Sequence, residues 1–173
     1  MKLFAFYIGG ETPASLIELH DARFVVAPTL EECIPAIKQS WWGTPQSLHL
    51  DCWGELTSAD GHNIILRDTP YSGADKLWFV NLGGYAPGDF SELHQNVFVV
   101  APTASKAQVR ALKQAPQWQS RHRDYVHEVE NLHCVSAFLP QGWHIHLEKT
   151  DTPVPFTFDC GYWPIGKGAR QPV

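Results

Sequence analysis

The sequence lacks the marks of a membrane protein or of a nucleic-acid-binding protein. None of its apolar runs approaches the roughly 20 residues that a membrane-spanning helix needs. Basic residues are scarce, since 13 Lys and Arg stand against 18 Asp and Glu, and the net charge is −5. Phosphate backbones and anionic lipids attract basic surfaces, and Arg121-His122-Arg123 is too short a cluster to form one. We therefore predict neither nucleic acid nor a membrane as a partner.

Paired cysteines are missing too. The sequence contains no CxxC pair, and its four cysteines are Cys33, Cys52, Cys134 and Cys160. The apolar run Leu3–Ile8 is too short for a secretory signal, and no small-residue cleavage site follows it. Isolated cysteines of intracellular proteins are mostly reduced and buried. The sequence thus predicts four free thiols and a cytoplasmic protein.

Short catalytic signatures are also absent. There is no HExxH, no GxSxG and no GK[ST]. The glycine pairs Gly9-Gly10 and Gly83-Gly84 are not followed by the lysine of a phosphate-binding loop. The sequence therefore specifies no reaction and no cofactor, and it leaves open whether a metal ion is bound.

What the chain does contain is a repeat. Residues 3–29 recur as residues 77–103 without a gap, at an offset of 74, and 13 of the 27 positions are identical. The matches include Gly9-Gly10 with Gly83-Gly84, and the identical triplets Glu18-Leu19-His20 and Glu92-Leu93-His94. Self-similarity at a fixed offset is the signature of repeated structural units. We interpret the chain as an internal duplication.

Each copy has the pattern of a strand, a Gly-Gly turn, a second strand, a helix and two further strands. In the first copy Leu48–Leu56 alternates between apolar and polar residues. Asp60-Gly61 is a hairpin signal, and His62–Asp68 is predicted to pair back on Leu48–Leu56. We predict an α+β fold of two β-β-α-β-β units, each with one helix, in mixed or antiparallel sheets related by a pseudo-twofold axis. The predicted organisation is residues 1–69 and 77–150 as repeats, 70–76 as linker, and 151–173 as an aromatic, proline-rich tail packed on the body.

Polar residues that recur between the copies are the candidate site. Glu18 and His20 match Glu92 and His94. In an extended segment, residues two apart project to the same side. A carboxylate beside an imidazole fixes its tautomer, which suits a metal ligand or a general base. The bland alternative is that these side chains support the Gly-Gly loop through hydrogen bonds.

A second set of polar residues recurs at an offset of 73. Its members are His49, Asp51 and Glu55 in the first copy and His122, Asp124 and Glu128 in the second. Alternation places His49, Asp51 and Glu55 on one face of their strand, with Cys52 on the other. That face is either a binding groove or an ordinary solvated sheet face. The sequence does not decide between them.

Several motifs together carry a resemblance to a known family. They are Phe4–Gly10 with Pro13, Glu18-Leu19-His20, Phe24-Val25-Val26, Trp41–Pro45 and Leu48–Asp51, with Gly83-Gly84, Glu92-Leu93-His94 and His122-Arg123-Asp124 in the second copy. With them the chain resembles the bacterial family catalogued as domain of unknown function 1543, over about residues 1–150. The resemblance implies a small bacterial cytosolic protein with one or two repeats. It implies no activity and no site residues.

Three hypotheses for function follow. The first is a module that binds a small ligand or a metal through the duplicated Glu-x-Leu-His segments. The second is a hydrolase that uses a His/Asp pair as base and orienting group. The third is a structural or protein-interaction module, self-association included, in which the shared polar residues only support loops.

Overall fold

The computed structural model describes residues 1–114 and 129–166. Within these ranges the chain forms ten strands in antiparallel sheets and two α-helices, which confirms the predicted α+β class. None of the helices in this part of the chain is long and apolar enough to cross a membrane. The elements in chain order are β1 (Lys2–Gly10), β2 (Leu19–Ala27), α1 (Ile34–Ser40), β3 (His49–Glu55), β4 (Ser58–Ala59), β5 (His62–Arg67), β6 (Lys76–Gly84), β7 (Leu93–Ala101), α2 (Ala104–Leu112), β8 (Val129–Cys134), β9 (His144–Lys149) and β10 (Asp159–Pro164).

The contacts divide the chain into two compact units. The first unit comprises Met1–Ser58, Leu139–Gln141 and the chain from Val154 onward. The second unit comprises Ala59–Phe138 and Gly142–Pro153. This division differs from the repeat boundaries read from the sequence, because β5 groups with the second unit and the C-terminal segment groups with the first.

The first unit is built on a four-stranded sheet of order β10-β3-β1-β2. Strand β1 alternates, so Phe4, Phe6 and Ile8 all turn to one buried face. Ile37 of α1 and Leu50 of β3, both 0% exposed, pack into the same core. Before α1 the chain forms a 3-10 turn, in which the Thr29 hydroxyl accepts from the Glu32 amide at 3.4 Å. Pro35 lies in the first turn of α1, directly after this irregular segment.

Strand β3 does not alternate as simply as its sequence predicts. In its ladder with β1, Cys52 pairs with Tyr7 and Leu50 pairs with Ile8, so Asp51 is the extra residue of a β-bulge. Of the two alternatives for the polar face of this strand, the solvated one does not hold for His49, whose side chain is 1% exposed. Two features explain the burial of His49. The bulge at Asp51 changes the register of β3 next to His49, and strand β10 places the Tyr162 ring over it.

Two predictions about strand partners are wrong. Strand β5 does not pair back on β3, because it lies between β4 and β9 in a separate antiparallel sheet. The free edge of β3 is taken by β10 instead, so part of the predicted tail is a sheet strand. The turn at Asp60-Gly61 does form, with φ of 51° and 74°, and it joins β4 to β5.

The second unit contains a three-stranded sheet of order β7-β6-β8. Helix α2 packs Ala107 and Ala111 against Val80 and Leu82, all 0% exposed. Its N-terminal cap is Thr103, whose side chain accepts from the Lys106 amide at 3.3 Å. The β6–β7 ladder runs from Lys76 opposite Ala101 to Gly84 opposite Leu93, as the β1–β2 ladder does 74 residues earlier.

The cysteine prediction is wrong for two of the four residues. Cys52 of β3 and Cys160 of β10 form a disulfide across 108 residues of sequence, whereas Cys33 and Cys134 are free. Because Cys160 lies in the segment without a repeat counterpart, no pattern in the sequence indicated the pairing. The disulfide removes one of the two reasons for which a cytoplasmic location was predicted.

Candidate functional site

Two strands of the first unit bring four polar side chains together on either side of β1. Gly9 of β1 pairs with His20 of β2 on one side and with His49 of β3 on the other. Glu18 lies just before β2, and Asp51 is the bulge residue of β3. Because neighbouring strands lie about 4.8 Å apart, the two imidazoles reach each other by leaning over the residue between them. The backbone thus positions both rings above Gly9.

Gly9 provides the space that these rings occupy. A Cβ atom on residue 9 would lie 2.6 Å from His49 Nε2, 2.8 Å from Asp51 Oδ2 and 3.0 Å from His20 Cδ2. Real Cβ contacts essentially never fall below 3.0 Å. The prediction of a turn at Gly9-Gly10 is wrong, because both glycines are the last paired residues of β1, opposite His20 and Leu19. Gly9 is instead the floor of the polar cluster.

The four side chains form a closed ring of carboxylates and imidazoles. Glu18 places Oε1 3.0 Å from His49 Nε2 and Oε2 3.5 Å from His20 Nε2. Asp51 places Oδ1 3.4 Å from His49 Nε2 and Oδ2 3.4 Å from His20 Nε2. Ligand atoms of Glu18, His20 and His49 all lie within 4.8 Å of one another, so the three could hold a metal ion.

His49 is the buried member of this ring. Its Nδ1 lies 2.8 Å from the Ser47 carbonyl oxygen, which can only accept, so Nδ1 carries the proton. Its Nε2 and Asp51 Oδ2 are buried and have no hydrogen-bond partner, although carboxylate oxygens surround the nitrogen. A buried polar atom without a partner costs about 1–3 kcal/mol. The geometry thus leaves a nitrogen lone pair and an anionic oxygen facing the same space.

Aromatic rings enclose the cluster on two sides. Tyr7 stacks on His20 with ring centroids 5.2 Å apart and planes 2° from parallel. Tyr162 of β10 covers His49 at 4.4 Å between ring centroids. Burial raises the pKa of Tyr7, and the charges of Asp51 and Asp21 raise it further. Tyr7 is consequently a neutral wall of the site at ordinary pH.

The comparisons with known proteins place the chain in a family. A family model described as "Domain of Unknown Function (DUF1543)" matches residues 15–66, the stretch that contains Glu18, His20, His49 and Asp51. A protein of known structure, Il1583 from Idiomarina loihiensis, is 33% identical. The match covers 96% of this chain and 99% of Il1583, with a TM-score of 0.67. The chain belongs to the DUF1543 family. No curated protein matches this DUF1543 member.

The second unit of this DUF1543 protein has a Glu-His pair at the equivalent positions. His94 Nε2 lies 3.7 Å from Glu92 Oε2, so the predicted pairing within the triplet is present. At the position of Tyr7 stands Asn81, which donates to Asn96 Oδ1 at 2.8 Å. The Glu-His pair recurs, but its surroundings differ.

The other predicted site residues fall outside the cluster. Glu55 forms an ion pair with Lys2 at 2.7 Å instead. His122, Asp124 and Glu128 lie outside the described residues. In the β6–β8 ladder the register shift comes at Asn81 and Leu82, which places Glu130 where β3 has Asp51. Strands β3 and β8 therefore correspond at an offset of 79 residues in their ladders with β1 and β6. The offset of 73, which was inferred from matching polar side chains, does not describe this pairing.

Sequence reasoning missed two parts of the site in this family member. The first is the role of Gly9 beneath the imidazoles, for which the recurring Gly-Gly pair was the available signal. The second is Tyr162, for which no repeat counterpart exists and the aromatic-rich tail was the single hint. A cleft of about 920 Å³ in the second unit, lined among others by Asp60, Lys106 and Lys149, contains none of the predicted site residues.

Proposed function

We propose that the first unit binds a divalent transition-metal ion of the zinc class through Glu18, His20, His49 and Asp51. The observation that carries this is the buried His49 Nε2. It lacks a hydrogen-bond partner while Glu18 Oε1 and Asp51 Oδ1 lie 3.0 and 3.4 Å away. A cation at the centre of the ring would give this nitrogen, and the unpartnered Asp51 Oδ2, a ligand bond.

The distances around the ring fit such an ion. Zinc bonds to His nitrogen and carboxylate oxygen of about 2.0–2.1 Å imply ligand atoms about 3.3 Å apart at a tetrahedral centre. The four nitrogen–oxygen separations, which involve both oxygens of each carboxylate, are 3.0, 3.4, 3.4 and 3.5 Å. Two imidazoles favour zinc and neighbouring transition metals over calcium and magnesium, which prefer oxygen ligands alone. The ligand types and their spacing thus agree on one class of ion.

The hydrogen bond at Ser47 supports the same assignment. A metal-binding histidine usually donates its other ring N–H to a carbonyl or carboxylate, which fixes its tautomer and orientation. The His49 Nδ1 contact with the Ser47 carbonyl, at 2.8 Å, has this form. His49 is therefore oriented before any ion arrives.

A protonated His49 is the competing explanation. A proton on Nε2 would face Glu18 Oε1 at 3.0 Å, yet this pair does not meet hydrogen-bond geometry. It would also leave Asp51 Oδ2 buried and unpartnered. One metal ion accounts for both atoms, and one proton accounts for neither. Glu18, His20 and His49 have ligand atoms within 4.8 Å of one another, and we propose Asp51 as the fourth ligand. Four protein ligands are typical of binding and structural sites, so we favour a binding module over a hydrolase.

We also propose that the chain is an internal duplication of two β-β-α-β-β units, residues 1–69 and 77–150, with residues 70–76 as linker and 151–173 as an added tail. Two registers support it: the matching β1–β2 and β6–β7 ladders, and the shifts opposite β1 and β6. The β5–β9 ladder is a third support. These two strands correspond to each other in the proposed repeats at an offset of 81 residues, and Ile65 pairs with His146, its own counterpart at that offset.

The repeat supplies matched controls for a test of metal binding. Untagged protein is stripped with a chelator, reloaded with Zn²⁺, and measured by titration calorimetry and elemental analysis. We expect one equivalent of zinc. His20→Ala and Glu18→Gln should each weaken zinc binding by more than the roughly 10- to 100-fold that loss of an orienting partner costs. His94→Ala and Glu92→Gln, at the same repeat positions, should bind zinc as the unaltered protein does.

Circular dichroism of all four variants should show an intact fold, since both glutamates and both histidines are at least partly exposed. Absence of zinc from the reloaded protein would contradict the proposed function. Equal losses in the two copies would contradict the assignment to the first unit.

A further inference from the structure

We propose that β10 is a clasp over the metal centre, closed by the Cys52–Cys160 disulfide and opened by a dithiol reductant. The clasp rests on the proposed metal binding, because it regulates access to that site. Strand β10 is the segment of the first unit that covers His49, and it is joined to β3 by a bond that a redox reaction can break.

The ladder between β3 and β10 shows how the cover is held. Cys160 pairs with Cys52, and Pro164 pairs with His49. Between Cys160 and Trp163 the register shifts, so Tyr162 lies in the irregular part of the strand. There its ring lies over the buried imidazole at 4.4 Å between centroids. The covering residue is thus two positions from the disulfide and outside the regular ladder.

The attachments on either side of Tyr162 differ in kind. On its C-terminal side, the amides of Ile165 and Gly166 donate to the Leu48 carbonyl at 3.1 and 2.8 Å, and Ile165 is buried. On its N-terminal side, Asp159 and Cys160 are exposed. The ladder pairs Asp159–Trp53 and Cys160–Cys52 and a hydrogen bond from the Thr57 hydroxyl to the Pro155 carbonyl, at 3.0 Å, also hold that side. The disulfide is the covalent attachment among these contacts, so reduction loosens this end of β10 while the buried Ile165 keeps the other end anchored.

The chemistry needs one dithiol. Its thiolate attacks Sγ of Cys160, the more exposed of the two sulfurs, and forms a mixed disulfide. The Cys52 thiolate leaves and takes up a proton. The second thiol of the reductant then displaces Cys160, which also takes up a proton. Two electrons and two protons have moved from the dithiol, now a cyclic disulfide, to Cys52 and Cys160.

Opening the clasp changes the environment of His49. The imidazole gains solvent contact when Tyr162 moves away, and a ligand that is no longer held by its surroundings releases metal faster. We expect transfer of zinc to a competing chelator to be about tenfold faster after reduction, the scale found when a ligand loses its supporting contacts.

The experiment measures two readouts on the full chain. Zinc transfer to a chromogenic chelator is followed in the oxidised protein and in protein reduced with dithiothreitol, which is removed before the measurement because it binds zinc. Modification of histidines by diethyl pyrocarbonate, mapped by mass spectrometry on metal-free protein, reports the exposure of His49 directly. His146, which contacts the Thr69 carbonyl in the second unit, is the internal reference.

Two variants separate the causes. Cys52→Ser with Cys160→Ser leaves the clasp open and offers no thiol to zinc, so it should transfer zinc fast with or without dithiol. Tyr162→Ala removes the cover while the disulfide remains, and Tyr162 is 70% exposed, so the fold tolerates the change. It should expose His49 in the oxidised state. If the double variant fails to fold, reduced protein and Tyr162→Ala still decide the question.

The outcomes for the clasp and for the metal are distinct. Equal zinc transfer and equal His49 modification in the two redox states would overturn the clasp and leave metal binding standing. Exposure of His49 on reduction in a protein that binds no zinc would support the clasp as a conformational device and overturn the metal site that it was proposed to guard.

Discussion

The two units share a strand pair and differ in what lies on the third strand. The β1–β2 and β6–β7 ladders match residue for residue, and the ladders with the third strand shift at the same place, after Tyr7 and after Asn81. In the first sheet β10 pairs with the third strand, β3, and its Tyr162 ring lies over the buried His49. Within the described residues the second sheet has three strands and ends at β8. The Glu-His pair is therefore part of the common frame, whereas the enclosed cluster depends on a strand outside the repeat.

The largest effect should be the same in both units, because it tests the common frame. Ile8 and Leu82 occupy equivalent positions on β1 and β6, and both are 0% exposed. Ile8→Ala and Leu82→Ala should each lower the free energy of unfolding by about 3 kcal/mol through lost burial and a residual cavity. Urea denaturation measures the change. A loss at one position that is several times the loss at the other would show that the two cores are not equivalent.

A smaller effect should be specific to the first unit, because it tests the cluster. Gly9→Ala places a methyl group within 3.0 Å of His49 and Asp51, and the buried imidazole has little room to move. We expect a loss of about 2 kcal/mol in stability from overpacking, together with weaker zinc binding. Gly161→Ala on β10 is the control, since a Cβ there meets nothing within 4 Å. If Gly9→Ala matches this control in melting temperature and zinc affinity, the glycine is not the floor of a site.

The smallest effect compares the two free thiols, one in each unit. Burial raises the pKa of Cys33 to about 12, helped by the charges of Glu32 and Glu31, whereas Cys134 is partly exposed. At pH 8 iodoacetamide should therefore alkylate Cys134 well before Cys33, because the thiolate is the reactive form. Peptide mapping by mass spectrometry gives the two rates. Equal rates would mean that Cys33 is not held in an apolar interior.

The raised pKa of Cys33 also makes the stability of the folded state depend on pH. The folded state holds the thiol proton more tightly than the unfolded chain, whose pKa is near 9.0. The contribution is complete below pH 9 and is lost as the pH rises from there toward 12. A Cys33→Val variant should lack this alkaline decline.

Local signals in the sequence predicted the first strands and the helix of each unit. The apolar run Leu3–Ile8 specifies a strand through its own residues, whereas the turn predicted at Gly9-Gly10 is wrong because both glycines belong to β1. The α+β class and the proximity of Glu18 to His20 followed from these local signals. These features were predictable because the physical cause of each lies in neighbouring residues.

The features that complete the site depend on residues far apart in the chain. The pairing of β10 with β3, the Cys52–Cys160 bond and the cover by Tyr162 all join segments more than 100 residues apart. The bulge at Asp51 depends on the register against β1, which no residue of β3 reveals alone. Alternation within β3 therefore could not decide whether His49 is exposed, because a distant strand sets its environment.

The disulfide has a topological consequence for the whole polypeptide. Its 108-residue span closes the chain from Cys52 to Cys160 into a covalent ring, with the N-terminal strands and the C-terminal segment as two short arms. Strands β6 to β8 and helix α2 all lie within the ring. A single proteolytic cut anywhere in the ring leaves one molecule of unchanged chain mass, apart from the added water. Separate fragments appear only when a reductant is added.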